Sequence, residues 1–450
     1  MERHKIPIIG PVIGQLEGED IDYGLIVFFA GLFIIFVVFT YIGISQSKIV
    51  SFIFALAPIW LPLMSFLIFF HVYTMMVGTM FRIKSGRTIY EIILPPEVFK
   101  SPEAMENVFT QIFNAASPDN LMETYLDGKR PLNYTFELVS KGGDVHFYAT
   151  VPNKFVNGFT DNMYAQYPGV ELKELEVDYA AGIDPHLHGL SFMSFHFSKK
   201  KAEVYPIKTY IDFGMDKLPK EEEKVDPMTP MLEMLGGIRP DQEMWIQILC
   251  KAHRDQNFKN GQLHSKGTWE EDIEAEIDKI MMRDPKTKTG VADLDGMPRI
   301  TTGERDTIEA MERNSTKFAF ETAVRVIYIS HKEGDYDGGL FSRFIRTFSQ
   351  TEMKGRNGLG FKWRTDFNYK LLSDPFGKKV AAWKHHEIKE YRQRQLHPKT
   401  AGMHPKVMSA EELATIFHLP GAVAMTPTLN RVTSTRSEAP TNLPIGNLPT

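Results

Sequence analysis

Two long uncharged apolar runs near the N-terminus dominate the hydrophobic pattern of the chain. The first, 23–44, is long enough at about 1.5 Å per residue to cross a hydrocarbon core of ~30 Å. A short polar step at 45–48 separates it from the second run, 49–81, in which two prolines are expected to kink a helix. A signal peptide has a single short apolar region and a small-residue cleavage site, and a buried core helix is the other alternative. The pattern predicts a two-helix transmembrane hairpin over residues 23–81.

The second run is longer than one straight span. We predict that the second crossing extends from Ile49 to about Phe70 and that the remainder tilts or continues into the headgroup layer. Basic residues are concentrated outside the two runs: Arg3, Lys5, Arg82, Lys84 and Arg87 flank them, and Lys48 lies between them. By the positive-inside rule, the N-terminal segment 1–22 and the chain after the hairpin are both cytoplasmic. We therefore predict a two-span protein of the inner (cytoplasmic) membrane, with its soluble domains in the cytoplasm.

The chain after the hairpin alternates short strands with amphipathic helices. Over 87–180 the predicted order is strand, helix, strand, strand, helix, strand, with Gly142-Gly143 as the turn between the central strands. The first helix opens at Ser101-Pro102 and has apolar residues at helical spacing from Met105 to Phe113. A β-α-β-β-α-β order is that of the ferredoxin-like fold. We predict a first ferredoxin-like module at 87–180.

The same order of elements recurs over 190–372. The predicted elements are Tyr205–Phe213, Pro230–Leu235, Glu243–Lys251, Ala323–Ser330, Gly339–Gln350 and Leu359–Thr365. An insertion at 252–314 contains two amphipathic helices, which either pack on their own sheet or protrude as a partner surface. The predicted fold class is therefore α+β, with two tandem ferredoxin-like (βαββαβ) modules and a helical insertion in the second.

The C-terminal part, 373–450, changes in character. Between Lys378 and Lys406 it has eight Lys or Arg residues and two Glu, which is most often a solvent-exposed face and less often a contact for nucleic acid or anionic lipid. The candidate contact residues are Lys378, Lys379, Lys384, Lys389, Arg392 and Arg394. A short helix follows, capped by Ser409 with Glu412 three residues on. Residues 424–450 are rich in Pro, Thr and Asn and predict an extended connector or a disordered tail.

Composition argues against several kinds of site. A single cysteine, Cys250, excludes a disulfide framework and a cysteine-based zinc site, and it fits a reducing compartment. The formal net charge of −5 carries no nucleic-acid signature for the whole chain. The sequence has no P-loop, nucleophile-elbow or HExxH string. His186 and His188 lack an obvious third ligand, so a structural or solvent-facing pair is favoured over a metal site. We predict no catalytic residue, no cofactor and no metal, and hence a protein that is not an enzyme.

Several strings together resemble the N-terminal half of conjugative-transfer ATPases of the type IV secretion class. They are SPEAMENVFTQIF (101–113), FELVSKGGDVHFYATVPNKF (136–155), MYAQYPGVELKELEVDY (163–179), GERDTIEAMERNSTKFAFETAVRVIYIS (303–330) and AEELATIFHLPG (410–421), followed by TPTLNRV and APTNLP. In that family a hexameric motor domain with the P-loop follows the NLP segment, and this sequence stops at Thr450 before any such domain. The resemblance implies a membrane-anchored platform whose motor is a separate polypeptide or has been removed, and it assigns no catalytic residue.

These observations lead to two functional hypotheses. The first is a non-catalytic scaffold of a type IV secretion or conjugative DNA-transfer apparatus, which forms homo-oligomers and docks a P-loop ATPase. Its candidate docking residues are Glu412, Ile416, Phe417 and Leu419, together with the tail. The second is a membrane-tethered module that binds DNA, another nucleic acid or anionic lipid through the basic segment, with affinity that falls steeply as salt rises. An enzyme whose site is assembled only in the folded chain is a third alternative.

Overall fold

The structure is a computed structural model that describes most of the chain after residue 54. The described residues are 51, 55–94, 100–113, 118, 120–184, 187–216, 226–253, 255–259, 262–266, 268–281, 300–332, 334, 336–365, 374, 376–396 and 402–421. The predicted first crossing at 23–44 and the tail at 424–450 lie outside the described residues.

Helices and strands alternate along the described chain. The helices are α1 (Ala57–Ser85), α2 (Glu103–Ile112), α3 (Leu121–Tyr125), α4 (Val156–Gln166), α5 (Thr229–Gly236), α6 (Thr268–Ile280), α7 (Thr302–Ser315), α8 (Gly338–Ser349), α9 (Lys378–Arg392) and α10 (Ala410–Ile416). The strands are β1 (Arg87–Ile93), β2 (Tyr134–Lys141), β3 (Asp144–Pro152), β4 (Glu171–Glu174), β5 (Ser191–Lys199), β6 (Gln242–Ala252), β7 (Asp255–Lys259), β8 (Gln262–Lys266), β9 (Ala319–Ser330), β10 (Leu359–Arg364) and β11 (Lys406–Ser409). The predicted mixed α+β class is confirmed.

Nine strands of the described chain form one antiparallel sheet. Eight of them lie in the order β10-β5-β9-β6-β2-β3-β1-β4, and β11 pairs with β9 beside this path. The β4-β1-β3-β2 half and the β10-β5-β9-β6 half have the same internal order. They join through β2 and β6, whose antiparallel register runs from Tyr134 opposite Cys250 to Lys141 opposite Glu243. The sheet is therefore continuous across both halves of the body.

The central turn of the first half forms as predicted. Lys141 and Asp144 are paired across Gly142-Gly143, and both glycines have positive φ, 59° and 95°. A Cβ at Gly143 would lie 2.8 Å from the carbonyl oxygen of Gly236, so α5 also packs closely on this turn.

The predicted first strand of the second half, Tyr205–Phe213, is wrong. The strand is β5, and residues 205–213 form turns, because Thr209 N–H donates to Asp212 Oδ2 (2.9 Å) and Met215 N–H donates to the carbonyl oxygen of Tyr210 (3.0 Å). The sequence of β5 alternates aromatic and polar residues and carries the period-2 signal of a half-buried strand.

Helices cover the two faces of the sheet unequally. α2, α4, α5, α8 and α10 pack on one face around a large aromatic and aliphatic core, which includes Phe109, Phe136 and Phe344. On the other face α9 and residues 179–184 and 187–190 cover a smaller cluster around Trp245 and Tyr391. Burial on both faces explains why the central strands are almost continuously buried.

The insertion helices pack on the body of their own chain. Trp269, Ile273 and Ile277 of α6 form a buried cluster with Ile308 and Met311 of α7. Ala319 of β9 and Val407 of β11 complete this cluster. Of the two alternatives left open by the sequence, the described helices therefore adopt the packed one, and their apolar stripes are not exposed as a partner surface.

Candidate functional site

The most exposed apolar feature of the described chain is α1. Its stretch Leu61–Ser85 is long and apolar enough to cross a membrane, yet only 12% of its most apolar 18-residue window is buried. Leu63, Phe66 and Phe69 are each more than half exposed. A core helix of a soluble protein is mostly buried, so this helix needs lipid or another apolar partner. The described residues thus contain one candidate membrane-spanning helix near the N-terminus.

The limits of this helix differ from the predicted second crossing. We expected a crossing from Ile49 to about Phe70, but α1 begins at Ala57 and continues unbroken to Ser85. Pro58 lies in its first turn, where no backbone N–H is needed for a helical hydrogen bond. Pro62 lies inside the helix. The basic residues Arg82 and Lys84 therefore belong to the last turn of the helix, where they also suit the helix dipole.

The helix joins the sheet through one residue, Gly86. Its N–H donates to the carbonyl oxygen of Ile83 (3.2 Å), and its own carbonyl oxygen accepts from the N–H of Asn153 (3.4 Å). Gly86 has φ 59° and ψ 173°, a combination that is essentially restricted to glycine. Thr88 Oγ1 donates to Asn153 Oδ1 (2.9 Å), so one asparagine contacts both sides of the joint. The orientation of α1 is thereby coupled to β1.

We expect Gly86→Ala to destabilise this joint by about 1–3 kcal/mol. A Cβ at Gly86 would lie 2.5 Å from Asn153 Nδ2, and the φ is unfavourable for any residue with a side chain. Gly158→Ala in α4 is the matched control, because a Cβ there meets nothing within 4 Å and alanine favours a helix. Thermal unfolding in detergent checks this prediction, and equal melting temperatures for the two variants would contradict it.

A loop of the body contacts α1 at a second place. The ring of Tyr125 packs against that of Phe70, with centroids 5.4 Å apart. Five residues later, Arg130 Nη2 donates to the carbonyl oxygen of Thr74 (3.3 Å), at the exposed flank of the helix. α1 therefore contacts the body at Phe70 and at Thr74 as well as at Gly86.

Two glycines allow this close approach. A Cβ at Gly128 would lie 2.5 Å from the carbonyl oxygen of Val77, and Gly128 has φ +66°. On the helix side, a Cβ at Gly78 would lie 3.0 Å from the guanidinium carbon of Arg130. Small residues at a helix interface permit such backbone contact. Together with Gly86, they fix α1 to the body at two points.

The structure divides the six predicted basic contact residues into two groups. Lys378, Lys379 and Lys389 are exposed on α9, and Lys384 is half-buried and donates to Tyr336 Oη (2.9 Å). Arg394 instead is buried against the body, so the prediction that it contacts an external ligand is corrected here, while Arg392 is half-buried and also hydrogen-bonds to the body. Part of the positive charge of this segment therefore attaches α9 to the sheet.

The two arginines contact different groups of the body. Arg392 Nε donates to the carbonyl oxygen of Ala180 (3.0 Å). Arg394 is 3% exposed and pairs with Asp178 (2.6 Å) and Glu137 (3.2 Å). Burial alone would raise the pKa of Asp178, but the hydrogen bond and charge of Arg394 lower it. These pairs join residues more than two hundred positions apart.

The four predicted docking residues lie in the core. Glu412, Ile416, Phe417 and Leu419 are all 3% exposed or less, and the ring of Phe417 lies 5.1 Å from that of Phe136. The prediction that these side chains contact a partner is therefore corrected. The capping box of Ser409 and Glu412 does form, as the sequence predicts.

A row of polar side chains, which the sequence analysis missed, crosses the sheet beneath α9. The strand registers place Glu137, Gln247, Arg325 and His196 side by side on β2, β6, β9 and β5. All four are buried, and Gln247 bridges its neighbours by donating to Glu137 (2.7 Å) and accepting from Arg325 (3.1 Å). The available signal is one large polar side chain near the middle of each of these strands.

Glu387 of α9 closes this row from above. Its Oε2 lies 2.9 Å from His196 Nε2 and 2.7 Å from Ser194 Oγ, and Arg325 Nε lies 3.6 Å away. Burial would raise the pKa of Glu387, but the charge of His196, its hydrogen bond, and Arg325 lower it. The arrangement holds α9 against the sheet, and nothing in it requires a substrate.

Because the pKa of Glu387 is lowered from its ordinary 4.5, its ionised form stabilises the fold above about that pH, and this contribution is lost as the pH falls further. We expect the difference in unfolding free energy between the wild type and Glu387→Gln to be positive at about pH 7 and to shrink below about pH 4.5. Denaturant titrations across that range measure it, and a difference that grows on acidification would contradict this assignment.

The histidine pair near Asp184 provides no metal site among the described residues. His188 Nδ1 lies 2.8 Å from Asp184 Oδ2, and His186 lies outside the described part. Within the described ranges, no group of three or more His, Cys, Asp or Glu side chains is placed to hold a metal ion.

The geometry defines a class of protein: a mixed α+β body on one antiparallel sheet, with a long exposed apolar helix that leads into strand β1. Residues 83–336, more than half of the chain, match the family described as "Domain of unknown function (DUF8128)", and the chain belongs to this family. The match extends from the last turn of α1 to the region after β9. No curated protein matches the sequence.

Proposed function

We propose that this protein is a non-catalytic, membrane-anchored scaffold subunit of a type IV secretion or conjugative DNA-transfer apparatus. The membrane anchoring is supported by α1, an exposed apolar helix that contacts the body at Gly86 and at the 125–130 loop. The transfer apparatus is suggested by the resemblance of the five strings between 101 and 421. In this proposal α1 is the second span of a hairpin whose first span is 23–44, and the body lies on the cytoplasmic side of the inner membrane.

We further infer that the two halves of the body are ferredoxin-like modules that arose by duplication. Apart from α3 in the first half and the insertion β7-β8-α6-α7 in the second, each half has the element order strand-helix-strand-strand-helix-strand. The strand orders β4-β1-β3-β2 and β10-β5-β9-β6 correspond position by position. The second strands of the halves, β2 and β6, pair with each other in antiparallel fashion. Equivalent edges paired in this way give the two-fold arrangement of an isologous dimer within one chain.

A separate P-loop ATPase is the partner that this scaffold would dock, with several copies of the chain forming a collar. Because α10 is buried, the proposed docking contact is assigned to exposed surface and to the chain after Gly421. Affinity purification of the tagged full chain from its native cells should recover a P-loop ATPase. Deletion of 424–450 should reduce both that recovery and transfer. Absence of the ATPase together with normal transfer by the deletion variant would contradict the docking role.

The exposed lysines of α9 favour a second candidate function, binding of nucleic acid or anionic lipid. Lys378, Lys379 and Lys389 are exposed, and Lys379 lies over the ring of Trp383, 4.9 Å from its centroid. A phosphate contact at this surface should weaken steeply with salt and should be lost in the triple variant Lys378→Glu, Lys379→Glu, Lys389→Glu. Unchanged binding of DNA and of anionic vesicles by that variant would exclude this candidate.

A further inference from the structure

The short helix α3 lies beside the anchor helix and presents apolar side chains away from the body. Leu121, Met122 and Leu126 are 40%, 64% and 56% exposed. They lie together on one short turn, and Asn120 caps its start by accepting from the N–H of Glu123 (2.9 Å). Neighbouring exposed apolar side chains of this kind mark a surface that is covered in the functional protein.

The contacts of α3 place this surface at one height along α1. Tyr125, between the exposed residues, packs against Phe70 of α1, and Phe70 is itself 39% exposed. Phe69, next to it in sequence, and Phe66, one turn earlier in the helix, are 64% and 59% exposed. The exposed apolar surface of α3 thus adjoins the exposed apolar residues of α1 around Phe70.

Polar and basic residues follow on the side of α3 towards the body. Lys129 pairs with Glu123 (2.7 Å), and Arg130 bonds to the carbonyl oxygen of Thr74. The order is therefore apolar side chains, then the aromatic Tyr125, then basic residues. This order is found where proteins meet a bilayer interface.

We propose that Leu121, Met122 and Leu126 insert into the headgroup–acyl boundary of the same bilayer that α1 crosses. This inference rests on the proposed anchoring of α1. The occupant is lipid rather than a second protein, because the surface adjoins the exposed apolar residues of the anchor helix. With α1 held at Gly86 and at the 125–130 loop, this third contact would fix the tilt of the sheet relative to the membrane.

A fluorescence experiment on the full chain in vesicles tests this proposal. The native Cys250 is 0% exposed, so an environment-sensitive thiol probe attaches selectively to an introduced cysteine. Met122→Cys and Leu126→Cys report on the α3 surface, Phe66→Cys on the anchor, and Val177→Cys, which is 71% exposed on the body, is the control. Vesicles of phosphatidylethanolamine and phosphatidylglycerol carry a spin-labelled lipid with the quencher near the headgroup–acyl boundary.

We expect quenching at 122 and 126 to exceed quenching at 177 several-fold, together with a blue-shifted emission. Quenching at 66 without quenching at 122 or 126 would overturn the α3 proposal while leaving the anchor intact. A blue shift at 122 without quenching would also overturn it, because protein rather than lipid would then cover the surface. Absence of quenching at all four positions would overturn the proposed anchoring itself.

Discussion

Glu412→Ala should lower the free energy of unfolding by about 3–5 kcal/mol, because it leaves the buried ammonium of Lys199 without its counter-charge. The two side chains are both 0% exposed and lie 2.8 Å apart. The carboxylate also accepts from the N–H groups of Ile207 and Ser409, each at 2.9 Å. Burial lowers the pKa of Lys199, and the charge of Glu412 opposes this effect, so the variant should also favour the neutral amine.

The neighbouring lysine provides the control. Lys200 pairs with Glu352 at the surface, where the side chains are 43% and 44% exposed. Glu352→Ala should therefore change stability by no more than about 1 kcal/mol. Denaturant unfolding of both variants in the same detergent measures the contrast. If Glu412→Ala is as stable as Glu352→Ala but no longer recovers the ATPase, Glu412 would be a docking residue and not a structural one.

Arg394→Ala should destabilise the protein to a similar extent, about 3–5 kcal/mol, although its position in the basic segment suggests a surface residue. Removal of the guanidinium leaves the buried Glu137, which is 0% exposed, with the hydrogen bond from Gln247. It also removes the ion pair of Asp178. Arg394→Lys should restore little, because one ammonium cannot span both carboxylates as the guanidinium does.

Lys389→Ala is the matched control on the exposed face of the same segment. We expect a change within about 0.5 kcal/mol, as for most surface substitutions. We measure thermal and denaturant unfolding of the two variants and, in parallel, their binding to DNA and vesicles. These measurements distinguish a charged residue that stabilises the fold from one that binds a ligand. A stable Arg394→Ala protein with weakened binding would contradict the assignment of this arginine to the core.

The elements that the sequence predicts well are those governed by local periodicity. The apolar run before Phe81, the Gly142-Gly143 turn and the insertion helices of 252–314 each have a pattern that one element can satisfy alone. Most of the strands and helices follow from the same patterns. The first strand of the second half was misplaced at Tyr205–Phe213, although β5 itself has a period-2 pattern, with Ser194 and His196 on the face that α9 buries.

The sequence did not reveal which charges are buried. Arg394 and Glu412 look like surface residues, and their partners Glu137 and Lys199 lie hundreds of positions away, so no local pattern records the pairing. The short helix α10 is buried on every side, although its sequence contains Glu411, Glu412 and Thr415. The acidic residues in its first turn suggest an exposed face, and the sequence carries no signal of the partners that bury them.

In the proposed function, α1 anchors the sheet-and-helix body to a membrane. Washing membranes from cells that express the full chain with alkaline carbonate tests this anchoring. We expect the intact protein to remain in the membrane pellet and to be released only by detergent. Release of the intact chain into the carbonate supernatant would contradict the anchoring.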